Sequence, residues 1–199
     1  MPFHISRRTL IKAGAALPAG WFFTGPASSS HASPAKGLKA DVIIAGGGVG
    51  GCAAALSACR LEKKVVLIEP TAWIGGQLTS QAVPPDENPW IETFGGTASY
   101  RNLRTRVRDY YRRNYPLTAE AHALAELNPG NGSVSRLCHE PRVALAVLQE
   151  MLAPYMSNGL LAILLHHRPL KAETNGNRIQ SLLVRNELTG NEMTLEAPF

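Results

Sequence analysis

The chain has 199 residues, of which 45% are hydrophobic and 18% are charged. That length corresponds to one ordinary domain or to part of a larger one, and the composition excludes a wholly disordered chain. The formal net charge of +5 would favour a nucleic acid or a membrane surface, but residues 1–32 hold three of the basic residues and no acid. The remainder has 17 basic and 15 acidic residues, so we expect no nucleic-acid partner.

Residues 1–32 are typical of a secretory signal peptide. The segment SRRTLIK precedes a short apolar run and small residues, and that run is too short to span a bilayer. Its paired Arg7 and Arg8 resemble the twin-arginine export motif. We expect cleavage after Ala32, with Ala27 as the alternative. The twin-arginine machinery would then deliver the folded protein to the periplasm or another extracytoplasmic compartment, without a remaining membrane span. The alternative is an ordinary basic amino terminus on a cytoplasmic protein.

The next segments predict the start of a parallel α/β sheet. Residues 33–39 are predicted to be a linker, and residues 40–80 the first βαβ unit. Within that unit, DVIIA (41–45) and KVVLIEP (64–70) are apolar, β-branched runs typical of buried strands. The alanine-rich stretch 52–61 between them is predicted to be a helix.

The glycine cluster after the first strand has the spacing G-x-G-x-x-G. Gly46 is expected to make the turn, Gly48 to let the backbone approach a diphosphate, and Gly51 to let the helix pack on the sheet. The free N–H groups and the positive end of the helix dipole would face the phosphates. The predicted cradle consists of Gly46, Gly47, Gly48, Val49, Gly50 and Gly51.

Glu69 ends the second strand, 18 residues after Gly51. An acid at about this distance accepts hydrogen bonds from the ribose of a dinucleotide, and its charge repels a 2′-phosphate. The negative charge of Glu69 therefore disfavours NADP as the cofactor, and both FAD and NAD remain possible.

The stretch EPTAWIGGQLTSQ, with Gly75 and Gly76 after the acid, resembles FAD-dependent oxidoreductases of the glutathione-reductase-like superfamily. The resemblance extends over residues 40–199 and implies a Rossmann-like FAD/NAD(P)-binding domain with a parallel sheet and a small antiparallel meander. It implies FAD as cofactor, a hydride taken from a small organic substrate, and a flavin-side role for the glycine pair. It also places Gln77, Leu78 and Thr79 near the flavin or its diphosphate. An NAD-dependent dehydrogenase and an inert fragment or binding protein remain the alternatives.

Residues 81–135 are expected to be an insertion with one amphipathic helix. Its segment 100–115 holds six arginines, interpreted as a solvated basic face, with anion binding as the alternative. Residues 136–199 are expected to continue the FAD-binding domain, with a helix from Pro141 to about Leu152, a strand from Leu160 and the meander. The chain is expected to be the amino-terminal part of a longer enzyme, with the domain incomplete at the C-terminus.

The remaining candidate groups indicate no further site. Cys52, Cys59 and Cys138 are expected to be small buried hydrophobes. His166 and His167, neighbours on one predicted strand, should point to opposite faces, so we expect no shared metal ion. The cluster Cys138–Glu140 is interpreted as a loop before a helix. No catalytic residue is assigned, because flavin chemistry often needs little side-chain help.

Overall fold

The computed structural model describes residues 35–198, which form a mixed α/β fold that begins with two strands and ends with four. The predicted signal peptide and its cleavage sites lie outside the described residues. The strands are β1 (Ala35–Lys39), β2 (Val42–Ala45), β3 (Val65–Glu69), β4 (Leu161–Leu165), β5 (His167–Asn175), β6 (Arg178–Asn186) and β7 (Glu192–Glu196). The α-helices are α1 (Val49–Arg60), α2 (Ala98–Asn114), α3 (Ala119–Ala123) and α4 (Pro141–Ser157), and a 3₁₀ turn covers Gly76–Leu78.

Three parallel strands in the order β2-β3-β4 form what we call the central sheet. The middle strand β3 is buried along its whole length, as expected for a parallel strand covered on both faces. Val65 and Leu67 belong to the core cluster shared with the helices α1, α2 and α4, whereas Val66 and Ile68 belong to a second cluster. The alternation of side chains along β3 therefore divides the core into two layers.

The second sheet, which we call the outer sheet, has the order β1-β7-β6-β5. Strands β5, β6 and β7 pair antiparallel, as the predicted meander requires. Val184 and Leu195 are fully buried and pack in the same cluster as Val66 and Ile68. The outer sheet thus covers the face of the central sheet opposite the helices, and the predicted parallel sheet with an antiparallel meander is confirmed.

Strand β1 was not expected, since the sequence reads as a linker there. Ala35–Lys39 pairs in parallel with β7, and Gly37 lies so close to Thr194 that a Cβ would overlap its carbonyl oxygen. This strand has only five residues with a glycine in the middle, so its sequence does not show the pattern of a strand. Its partner β7 lies at the other end of the chain, and no local signal indicates that pairing.

Two helix boundaries differ from those predicted. Helix α1 begins at Val49 rather than Cys52, because Gly50 and Gly51 form its first turn. Helix α4 continues past Leu152 to Ser157, with Pro154 inside it. It ends where Gly159 takes the left-handed conformation, with φ of 78°, which is a common helix terminator.

The placement of the two adjacent histidines on one strand was wrong. His166 has a positive φ of 58° and lies between β4 and β5, whereas His167 is the first residue of β5. The His166 amide donates to the Thr71 carbonyl, and its own carbonyl accepts from the Glu187 amide. This left-handed residue turns the chain from the central sheet to the outer sheet.

The solvated basic face predicted for α2 was wrong for two of its arginines. Arg104 and Arg108 are 3% and 6% exposed, on the same side of the helix as the buried Leu103 and Val107. Their guanidinium groups form ion pairs with Glu87 and Glu92 from the preceding loop. A buried charge must be paired, so the helix places these arginines against a carboxylate-bearing loop instead of water. Within residues 35–198, none of the helices combines the length and apolarity needed to cross a bilayer.

Candidate cofactor site

The turn after β2 is shaped by Gly46 and is held to the neighbouring strand. Gly46 has φ of 116°, a conformation that only glycine adopts readily. Its amide donates to the Ile68 carbonyl at 2.9 Å. The chain therefore leaves β2 in a tight turn and enters α1 three residues later, at Val49.

The other glycines of the cradle differ in the room around them. A Cβ on Gly51 would overlap the Gly46 carbonyl oxygen and lie 3.4 Å from a Leu67 methyl carbon, so Gly51 permits the close packing predicted for it. Among residues 35–198, no atom lies within 4 Å of the position that a Cβ on Gly48 or Gly50 would take. The space over Gly48 and Gly50 is the clearance that a diphosphate would need, and glycine at these two positions is not explained by packing.

Helix α1 supplies donors to this open space. Gly48 is its N-cap and offers no side chain to the helix, and the Cys52 amide makes the first helical hydrogen bond back to the Gly48 carbonyl. The amides of the preceding first turn have no partner within a helix of this geometry. Together with the positive end of the helix dipole, these N–H groups fit an anionic group such as a diphosphate.

Glu69 lies at the end of β3 beside the turn, as the sequence predicts. It is 7% exposed. Its Oε2 accepts the Gly47 amide at 3.0 Å, and its Oε1 accepts the Thr71 amide at 2.8 Å. The two backbone donors compensate for burying the carboxylate, and they fix its position next to the cradle.

The glycine pair lies directly against the cradle. Gly48 and Gly75 form a parallel β-bridge, and the Gly75 amide donates to the Gly47 carbonyl at 2.7 Å. Gly75 and Gly76 both have positive φ, and a Cβ on Gly76 would lie 3.2 Å from the Gly48 Cα. The structure thus brings Gly75 and Gly76 into direct contact with the first glycine cluster, beside the start of α1.

The three residues after the pair have different environments. Gln77 is exposed, and its side-chain amide donates to the Pro84 carbonyl at 3.4 Å. Leu78 is buried in the core, and Thr79, 1% exposed, donates its hydroxyl to the Ile74 carbonyl at 2.6 Å. The side chains of Leu78 and Thr79 therefore stabilise the turn from inside.

All three cysteines are buried and free. Burial, with a smaller contribution from the nearby Glu69 charge, raises the pKa of the Cys52 thiol to about 12 against the lowering effect of the Gly75 amide. The Cys52 Sγ donates to the Gly47 carbonyl at 3.4 Å. Cys52 is therefore a neutral, buried part of the cradle and is unsuited to act as a nucleophile.

The cluster Cys138–Glu140 forms a structured loop end. The Cys138 amide donates to the Asn128 side chain at 2.6 Å, and Glu140 is the N-cap residue of α4. Burial lowers the pKa of His139, against the raising effects of the Leu137 carbonyl and the Glu87 charge. Within the described part of the chain, no three His, Cys, Asp or Glu side chains are arranged to hold a metal ion.

Sequence reasoning missed the ionic cluster that borders the segment after the glycine pair. We call Glu87, Glu92, Arg104 and Arg108 the loop anchor. Tyr100 donates its hydroxyl to Glu87 at 2.6 Å, and Arg108 donates to the Leu127 carbonyl at 2.9 Å. The available signal was the placement of Arg104 and Arg108 one helical turn apart, each directly following an apolar residue of the buried stripe.

Comparison with solved structures shows the fold. The Sdh1 complex of Mycobacterium smegmatis in its apo form is 14% identical, with a TM-score of 0.50 over 82% of this chain and 34% of that chain. The myxobacterial chondrochloren halogenase CndH, described as a variant of FAD-dependent halogenases, is 15% identical, with a TM-score of 0.50 over 81% of this chain and 36% of that chain. The chain thus spans about a third of the length of these proteins. None of the curated proteins compared matches it.

The family of the chain is assigned by a family model, since structures this distant show only the fold. Residues 41–199 match the family described as FAD dependent oxidoreductase. That range contains the glycine cluster, Glu69 and the glycine pair. The Rossmann-like fold and FAD as the cofactor, both expected from the sequence, are confirmed, and the chain belongs to the FAD-dependent oxidoreductase family.

Proposed function

We propose that this chain is the cofactor-binding part of an exported FAD-dependent oxidoreductase that takes a hydride from a small organic substrate. The observation that supports this proposal is the cradle, in which an open helix start, a buried acid and a second glycine segment border one region. Substrate oxidation belongs to the whole protein, and the geometry of this chain assigns no catalytic side chain.

The residues of the chain would hold FAD in a defined orientation. The backbone of Gly46–Gly51 and the start of α1 would bind the diphosphate, because Gly48 and Gly50 leave room for it. Glu69 would accept a ribose hydroxyl beside its two backbone contacts. The FAD would also contact the backbone of the segment that follows the glycine cluster in space, which consists of Gly75, Gly76 and Gln77. The buried side chains of Leu78 and Thr79 would support this segment from the core. When bound, FAD supplies the hydride acceptor.

Cofactor binding is tested at Gly48. Its φ of −62° suits any residue, and no atom of the part of the chain that the structure describes lies within 4 Å of its Cβ position. We therefore expect Gly48→Leu to leave the folded chain stable but to abolish FAD retention, measured by flavin absorbance and by titration of the apoprotein with FAD. Ala54→Leu is the matched control, since it adds the same side chain to an exposed position of α1.

The result at Gly48 has two informative alternatives. If Gly48→Leu retains FAD with unchanged affinity, the cradle does not hold the diphosphate. If the wild-type protein is colourless and binds NAD instead, the proposed role of this site is wrong.

Export is proposed from the leader, and its signal is the Arg7–Arg8 pair. Replacing both arginines with lysine keeps the charge but removes the guanidinium groups. We expect the full chain to accumulate in the cytoplasm, measured by fractionation of cells that express the full chain. The same replacement at Arg101 and Arg106 on α2 is the control, and unchanged export of the leader variant would contradict the proposal.

A further inference from the structure

The Gly47 peptide group connects three segments of the site. Its amide donates to Glu69 at the end of β3, and its carbonyl accepts from the Gly75 amide and from the Cys52 thiol. These contacts join the turn after β2 to the neighbouring strand, to the glycine pair and to helix α1. The orientation of one peptide group therefore determines how the parts of the cradle fit together.

Gly47 has no room for a side chain, and the reason lies in Glu69. A Cβ on Gly47 would lie 2.9 Å from both the Cβ and the Oε2 of Glu69, and 3.3 Å from its Cγ. The backbone of Gly47 is outside the left-handed region, so the conformation itself would accept alanine. The glycine at this position is therefore required by contact with the acid and not by the turn.

Glu69 is in turn held in one position by the backbone around it. Both carboxylate oxygens accept amide donors, from Gly47 at 3.0 Å and from Thr71 at 2.8 Å. The residue is buried and pairs with Leu165 in the central sheet. Its carboxylate is thus fixed by contacts within the chain, independently of any contact with a ribose.

We infer that Gly47 and Glu69 are an energetically coupled pair in which Glu69 positions the cradle turn. This role is additional to the ribose contact of the proposed function, and it rests on the proposed assignment of the cradle to FAD. The pair explains why the middle position of Gly46-Gly47-Gly48 is also glycine, a position that the G-x-G-x-x-G spacing leaves free. Residues in direct contact show such coupling when each is changed alone and together.

A double-mutant cycle in the full chain, freed of FAD, tests the coupling. The fall in Tm caused by G47A is measured in the wild-type, E69A and E69G backgrounds. E69A removes the contacts with Cγ and Oε2, and E69G also removes the contact with Cβ. We therefore expect the fall to be largest in the wild type, smaller with E69A and at least halved with E69G. G50A in the same backgrounds is the control, because nothing contacts a Cβ there.

Two further measurements separate positioning from simple loss of stability. E69Q keeps one acceptor oxygen, so hydrogen exchange at the Gly47 or Thr71 amide should accelerate while exchange in the central sheet stays unchanged. G47A should raise the FAD dissociation constant by roughly tenfold, within the usual coupling of contacting residues. If G47A alone does not fold, recovery of folded protein in G47A/E69G supports the same inference.

An equal fall in Tm for G47A in all three backgrounds would overturn the inference. Since this cycle uses the apoprotein, that result would not contradict the proposed binding of FAD. Conversely, coupling in a protein that binds no FAD would contradict the proposed function and leave the contact between Gly47 and Glu69 established.

Discussion

Gly50 and Gly51 are neighbours in the first turn of α1, yet they are glycine for different reasons. A Cβ on Gly51 would overlap the Gly46 carbonyl oxygen, whereas a Cβ on Gly50 would meet nothing within 4 Å. Gly51 therefore allows the helix to approach the turn after β2. Gly50 is exposed, and it leaves open space on the side of the helix that faces solvent.

This contrast predicts opposite effects of one methyl group on the apoprotein. We expect G51A to destabilise it by about 1–3 kcal/mol, the usual cost of overpacking. G50A should be neutral or stabilising by up to about 1 kcal/mol, because alanine is the better helix former. The free energy of unfolding, measured with urea, checks both. Equal costs for the two variants would mean that Gly51 is not packed against the turn.

The sequence predicted the glycine turn and the position of Glu69 beside it because their signal is local. Gly46, Gly48, Gly51 and Glu69 stand at spacings set by one turn, one helix and one strand. The contact of Glu69 with Gly47 was not predictable in this way. It depends on where the carboxylate lies in space. Neither the G-x-G spacing nor the strand periodicity specifies which residue stands at position 47.

At the scale of elements, the loop anchor joins the segment between the 3₁₀ turn and α2 to the helix that follows it. Arg104 bonds to both Glu87 and Glu92, and Arg108 bonds to Glu92 and to the Leu127 carbonyl. One face of α2 therefore holds two loops. Because the first of these loops begins shortly after the glycine pair, the anchor also restrains the chain that leaves the candidate cofactor site.

Arg104 should accordingly be the most sensitive arginine of α2. R104A removes the guanidinium that pairs with Glu87 and one of the two that pair with Glu92, and we expect a loss of about 3–5 kcal/mol in the free energy of unfolding. R106A is the matched control on the same helix, since Arg106 is half-buried and its one side-chain partner among the described residues is Asn102, at 3.4 Å. Its effect should lie within about 0.5 kcal/mol. Similar losses for both variants would contradict a specific role of the buried ion pairs.

The loop anchor also predicts a dependence of stability on pH. Burial acts to raise the pKa of Glu92, but the hydrogen bond from Arg108 and the charges of Arg104 and Arg108 hold it below the ordinary 4.5. A carboxyl whose pKa is lowered by folding stabilises the protein above its unfolded pKa. This contribution is therefore full above pH 4.5 and is lost as the pH falls from 4.5 through the lowered value.

E92Q isolates that contribution from the other carboxyls. We expect it to be less stable than the wild type at neutral pH, because Arg104 and Arg108 lose a charged partner. Its stability should then fall less steeply with acid than that of the wild type below pH 4.5. Urea unfolding across this range measures both slopes, and parallel slopes would show that Glu92 titrates alike in the folded and unfolded chains.

The sequence located α2 but not the burial of its charges. The helical spacing of Leu103, Val107 and either Tyr110 or Tyr111 predicted the apolar stripe, and the structure buries Tyr111. Arginine at the edge of such a stripe ordinarily extends to water, so Arg104 and Arg108 were read as solvated. Their burial depends on carboxylates supplied by a loop without regular periodicity, and no pattern within α2 reveals that partner.

At the scale of the molecule, the central sheet lies between the helices and the outer sheet, and its strand β3 contributes to both cores. The outer sheet is completed by β1, whose parallel pairing with β7 joins chain segments more than 150 residues apart. The Ala40 amide extends this contact to the Glu196 carbonyl at 3.2 Å. Strand β1 therefore leads directly from the outer sheet into β2 of the central sheet, just before the cradle.

This connection predicts that β1 belongs to the stable domain and is not a dispensable linker. A chain that begins at Ser33, as cleavage after Ala32 would leave it, keeps β1, whereas one that begins at Ala40 removes it and exposes the edge of β7. We expect the shorter chain to lose more than the roughly 2–4 °C of Tm that 1 kcal/mol represents in a domain of this size. Thermal unfolding of both apoproteins measures the difference. A Tm unchanged by the truncation would mean that the β1–β7 pairing contributes nothing to stability, and that the segment is a linker in energetic terms even though it is paired.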